Sequence, residues 1–129
     1  MRSTLARLIG YGGDAVVVGM PPQGQPVDCA ITRPPPADCG RVVYTMADRS
    51  TANLSKLSRR AVAQFPGKAF YVPLDDVLCP ARGVCPAVID GLLARYDGIH
   101  ETATFSRRIV PMIIARAERE GASFRQPSR

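Results

Sequence analysis

Apolar positions recur along this chain in two rhythms, helical and continuous, and each predicts an element. From Arg2 to Tyr11 the apolar residues Leu5, Leu8 and Ile9 fall at spacings of three and four, which predicts a short helix stopped by Gly10, Gly12 and Gly13. Ala15-Val16-Val17-Val18-Gly19-Met20 is a continuous, largely β-branched run closed by Pro21, the pattern of a strand buried on both faces of a parallel sheet. Pro22 to Val42 carries too many prolines for ladder or helix and reads as a long surface excursion. Asp48 is placed to cap a helix running to about Gln64, with Leu54, Leu57, Ala61 and Phe65 on the inward stripe and Lys56, Arg59 and Arg60 facing away. Pro66-Gly67 ends it, and Ala69 to Leu74 forms a second strand. Asp75 to Asp90 is a second excursion, followed by the short apolar run Leu92-Leu93-Ala94 and the polar turn Tyr96-Asp97-Gly98-Ile99-His100. Thr102 is an N-cap for a final helix with Phe105, Ile109, Met112 and Ile113 on one face and Pro111 placed to kink it. The order helix, strand, helix, strand predicts an α/β fold with parallel strands and right-handed crossovers, ending in a frayed basic tail over residues 121–129.

Composition narrows the class without naming it. The 129 residues are 46% apolar and 22% charged, which suits one ordinary globular domain with a core of its own. No apolar run approaches the ~18 residues that cross a bilayer, and the first residues lack the sustained apolar region of a secretory peptide. The net charge of +6 is almost all arginine, Lys56 and Lys68 being the lysines. These cations are scattered and not interleaved with aromatic residues, so no nucleic-acid partner is expected.

The cysteines fall in the two excursions, Cys29 and Cys39 in the first, Cys79 and Cys85 in the second. Three pairings can be drawn, and proximity favours the local one, whose loops would each contribute about 2–3 kcal/mol in the chain-entropy account. A metal site with His100 as a further ligand is a rival reading, although neither spacing is that of a structural zinc site; free structural thiols are another. No C-x-x-C opens a helix, which argues against a redox pair. Disulfides would place the domain outside the cytoplasm, at odds with the absence of an export signal in these residues.

His100 is the one side chain here whose ordinary pKa lies near neutrality, and Asp97 stands three positions before it across Gly98. Such a turn can bring the aspartate to Nδ1, fixing the tautomer and leaving Nε2 as a base. The bland alternative is a loop histidine held by a nearby acid or capping the next helix.

Several blocks together point further. The Cys29 loop with Cys39 beyond it, Val72-Pro73-Leu74-Asp75-Asp76-Val77-Leu78-Cys79-Pro80, Cys85-Pro86-Ala87-Val88 and Tyr96-Asp97-Gly98-Ile99-His100-Glu101-Thr102 resemble the C-terminal part of the SGNH domains fused to bacterial membrane acyltransferase-3 proteins. The resemblance spans roughly Leu5 to Ala115 and implies the C-terminal half of a flavodoxin-like, three-layer α/β domain over residues 1–120. It implies that His100 is the base and Asp97 its orienting partner, that no cofactor or metal takes part, and that the domain works outside the cytoplasm on acyl esters of cell-envelope glycans beside an acyl-donating membrane domain.

The chain departs from that pattern in one respect. SGNH enzymes carry the serine nucleophile in an early Gly-Asp-Ser block, with glycine and asparagine oxyanion donors in further blocks. Here Gly12-Gly13-Asp14 is followed by Ala15, and Ser3, Ser50, Ser55, Ser58, Ser106, Ser123 and Ser128 all lie outside any nucleophile-elbow context. The resemblance therefore places the serine half before residue 1 and leaves the Ala15 strand with an unpaired edge open to that half or to a second copy. Two functions follow: the base-bearing segment of an acyltransferase or esterase, inactive alone, or a non-catalytic remnant or interaction module.

Overall fold

A computed structural model describes residues 1–36, 39, 46–80 and 85–124, with the backbone alone of 46–48. Among the described residues nine elements follow one another: α1 (Arg2–Gly10), β1 (Ala15–Val18), α2 (Asp28–Ile31), α3 (Met46–Val62), β2 (Ala69–Val72), α4 (Asp75–Leu78), β3 (Val88–Ile89), β4 (Leu92–Leu93) and α5 (Ala103–Arg119). The fold is mixed α/β, as the alternation predicts, with β1 and β2 parallel in the register Ala15 to Ala69 and Val18 to Val72.

Three apolar clusters hold the layers together. Leu5 of α1, Ala15, Ala69 and Ala61 of α3 pack on one side of the sheet, where small residues let the α3 backbone come close. Phe70 and Val72 meet Ala117 and Ala122 at the end of α5. The third cluster joins Leu74 and Leu78 to Ile89, Ala94, Phe105 and Ile109, seating the β3–β4 hairpin between α4 and α5.

Four expectations are corrected. The Leu54 and Leu57 side chains are exposed, and the inward positions of α3 are Ser58 and Ala61, because that cluster selects small side chains over the apolar stripe. The helix starts at Met46, so Asp48 lies within its first turn and not at its cap. β1 is not buried on both faces: Val16 and Val17 are half-buried and Val18 is exposed, since β2 is its one paired neighbour among the described residues. Neither excursion is irregular throughout: α2 forms in the proline-free stretch of the first, and α4 and an antiparallel hairpin form within the second and the run after it, turning at Asp90-Gly91 with both residues at positive φ. Α5 runs unbroken through Pro111, with Thr102 capping it as expected. Of the predicted tail, 125–129 lie outside the described residues; Ala122 is buried, and the Ser123 amide donates to Asp14 Oδ2 at 2.7 Å.

These assignments reverse the order in which the sequence pattern ranks two leucines, Leu57 on the expected inward stripe and Leu78 in the expected excursion. Leu78→Ala should lower the unfolding free energy by about 2–5 kcal/mol, whereas Leu57→Ala should change it by about 0.5 kcal/mol or less, as read from urea denaturation.

Candidate functional site

The Asp97–His100 loop is built from its ends inward. Beyond β4 the amides of Ala94 and Arg95 donate to Ala87 O at 2.7 and 3.2 Å, and the Thr102 amide donates back to Ala94 O at 2.8 Å. The Thr102 hydroxyl donates to Leu93 O at 2.5 Å and accepts from the Phe105 amide at 3.2 Å, tying the hairpin to the first turn of α5. An antiparallel bridge pairs Arg95 with Glu101, so the residues between them form a closed loop.

Within that loop one carboxylate organises the turn. Asp97 Oδ1 accepts from the Ile99 and His100 amides at 2.9 and 2.8 Å, and Gly98 takes the positive φ of +84° that such a turn requires. The segment leaving the carboxyl end of β1 lies across the loop: the Gly24 amide donates to Gly98 O at 2.7 Å, the Val27 amide to Tyr96 O at 3.0 Å, and Pro26 bridges to Asp97. The same segment reaches the second cysteine pair, the Gln25 amide donating to Cys85 O at 2.8 Å.

The outer oxygen of Asp97 faces the imidazole. Oδ2 lies 2.7 Å from His100 Nδ1, and the Tyr96 ring stacks near-parallel on the imidazole with centroids 6.1 Å apart. The His100 amide, the His100 ring and the Ile99 amide hold the Asp97 pKa well below the usual carboxylate range. An ionised carboxylate only accepts, so the shared proton sits on Nδ1, and Nε2 is the ring nitrogen left for a reacting group. The hydrogen bond and charge of Asp97 raise the His100 pKa above its ordinary 6.5, with the Glu101 charge adding to the effect. Sequence reasoning thus placed both members of the dyad together, and the structure does the same.

The loop is open to solvent. The His100 side chain is 67% exposed, and neither the cleft of about 310 Å³ between α4, the hairpin and α5 nor that of about 290 Å³ beside Tyr71 is lined by the dyad. Among the described residues no serine hydroxyl is hydrogen-bonded to His100; Ser3 lies on α1, Ser55 and Ser58 on α3 and Ser106 on α5.

The cysteines form two local disulfides, Cys29 to Cys39 and Cys79 to Cys85. That corrects the free-thiol and metal alternatives, since a disulfide offers no thiolate, and the described residues hold no group of three or more His, Cys, Asp or Glu able to seat an ion. What sequence reasoning missed is the pair at the neck of the loop. Arg95 is fully buried, its Nε 3.9 Å from Glu101 Oε1; an arginine beside an apolar run gives no sequence signal of burial.

A family model described as the SGNH domain (fused to AT3 domains) matches residues 1–115. The chain belongs to the SGNH family. The resemblance drawn from the Cys-Pro and Tyr-Asp-x-x-His blocks is therefore correct, and the α/β fold with flanking helices accords with it. Curated proteins and solved structures yield no match to this SGNH chain.

The dyad has a definite pH signature. Folding raises the His100 pKa, so its contribution is complete below the unfolded value of 6.5 and fades as pH climbs through the folded value. Folding lowers the Asp97 pKa, so its contribution is complete above the unfolded value of 3.8 and is lost as pH falls through the folded value. The pair therefore stabilises the fold most between these two ordinary values. Asp97→Asn should bring the NMR titration midpoint of His100 down toward 6.5, lower stability within that window, and diminish the losses of stability on its acid and alkaline sides.

Proposed function

We propose that this SGNH chain supplies the base and its orienting acid, His100 and Asp97, to a site that transfers or hydrolyses O-acyl groups, O-acetyl in the first instance, on cell-envelope glycans. One observation carries the reading: Asp97 accepts from His100 Nδ1 at 2.7 Å while also holding the turn that presents the ring, which commits Nε2 to receive a proton. In the reaction Nε2 takes the proton of a serine hydroxyl as its oxygen attacks the ester carbonyl, Asp97 steadies the imidazolium that forms, and the proton then passes to the departing alkoxide.

The hydroxyl comes from outside these 129 residues, in a Gly-Asp-Ser segment that docks along the open edge of β1. The exposed Val18 and Met20 at the end of that strand support this placement, and the same edge would pair two copies of the chain when the segment is missing. The two disulfides, and a family whose members are fused to acyltransferase-3 domains, support a site outside the cytoplasm beside a membrane acyl donor. Among the described residues no helix is long and apolar enough to cross a membrane. A second reading, a non-catalytic interaction module, draws support from the exposure of the His100 side chain.

Kinetics on p-nitrophenyl acetate separate the two. The chain alone should show no turnover that depends on His100; with a Gly-Asp-Ser-bearing SGNH segment supplied, turnover should appear and fall by roughly 10⁴- to 10⁶-fold in His100→Ala. Turnover by the chain alone that His100→Ala abolishes would refute the need for an outside serine, and a complemented site indifferent to His100→Ala would favour the module.

A further inference from the structure

Arg95 is the least expected side chain in the molecule. It is 0% exposed and the largest fully buried residue among those described, and among the described residues its Nε, Nη1 and Nη2 have no hydrogen-bond partner, nor has the buried Glu101 Oε1 that faces it. Its opposite charge among the described residues, Glu101, stands 3.9 Å away, too far for a hydrogen bond. Burial lowers the Arg95 pKa and Glu101 opposes that shift, but an arginine remains charged under any ordinary condition. A pair of this kind contributes little net stability, because desolvating two charges costs about as much as their attraction returns, and apolar replacements of like volume are often neutral or better. Its place in the fold calls for a different account.

That place is the neck of the Asp97–His100 loop. Arg95 and Glu101 are the two ends of the loop that carries Asp97 and His100, and their backbones are bridged. The guanidinium lies against Gly24, where an added Cβ would collide with Arg95 Nη1 and Cζ, so the strap that donates to Gly98 O rests on the arginine. The Glu101 charge also acts on the His100 imidazole, raising its pKa beside the larger effect of Asp97. The side chain therefore touches both layers that hold the turn, the strap above and the loop end below.

We propose that Arg95, through Glu101 and the Gly24 strap, is a positioning residue that holds the Asp97–His100 loop in its proton-accepting geometry. The proposal rests on the reading of His100 as a base but concerns how the loop is kept in place. Arg95 touches no reacting atom; it limits the motion of the groups that do.

Two NMR readouts on the intact chain test it: hydrogen-exchange protection of the Ile99 and His100 amides, which report the turn, and the titration midpoint of His100. Arg95→Met leaves Glu101 buried without its partner and risks the fold, so the decisive protein is the double variant Arg95→Met with Glu101→Leu, which removes both charges together. It should melt cooperatively at or near the wild-type temperature, yet lose protection at Ile99 and His100. Its His100 midpoint should drop beyond the small fall that Glu101→Gln alone produces, to that of Asp97→Asn. A double variant that folds and keeps both amide protection and the wild-type midpoint would overturn the proposal and leave Arg95 as a core filler. The dyad fails differently: a wild-type midpoint that Asp97→Asn does not move sinks the base reading, while amide protection still decides the role of Arg95.

Discussion

Three hydrogen bonds to a single carboxylate organise the Asp97–His100 loop. Asp97 accepts the Ile99 and His100 amides with one oxygen and the His100 ring with the other, so the same side chain shapes the turn, fixes the imidazole and selects its tautomer. Gly98 must then adopt a positive φ, and a Cβ there would press on Gly24 O, so the close approach of strap and loop depends on both residues being glycine. Immediately after the turn, Thr102 binds the hairpin and caps α5, which converts a short loop into a rigid corner between two packed elements.

The rest of the fold supplies a frame for that corner. The Leu74–Leu78–Phe105–Ile109 cluster anchors the hairpin from which the loop springs, and the Arg116 guanidinium clamps Asp76 with two bonds of 2.8 and 2.7 Å, joining α5 to α4. The Cys79–Cys85 disulfide borders this cluster, and the Cys85 carbonyl holds the strap at Gln25. Covalent closure thus does for the irregular segments what the small sheet cannot, since two paired strands offer few ladder bonds to order the chain around them.

How much of this was legible in the sequence depends on whether a feature is local. Thr102 capping α5, Gly98 in the turn and Asp97 meeting His100 are short-range consequences of side-chain chemistry, and sequence reasoning located all of them. The Asp90-Gly91 hairpin was equally local and was passed over, because its strands are two residues each and the flanking Cys-Pro pairs suggest loop. The inward face of α3 was misjudged for a tertiary reason: alanines across a close helix–sheet contact take the inward positions and leave Leu54 and Leu57 exposed. Arg95 lay beyond sequence reasoning, since burial of a charge is decided by strap and loop meeting over it. Membership of the SGNH family was legible in the Cys-Pro and Tyr-Asp-x-x-His blocks, which lie within the matched residues.

Taken together, loop, strap and the Arg95–Glu101 pair describe a histidine held in one orientation by its aspartate, as the proposed base role requires, and its proton is the most direct thing to observe. The ¹⁵N shifts of the His100 ring, recorded above its titration midpoint, report which nitrogen carries hydrogen. A single neutral tautomer protonated on Nδ1, with Nε2 bare, is the predicted result. Shifts averaged over both tautomers would contradict it, because they would mean that Asp97 does not hold the ring and that His100 is an ordinary surface histidine.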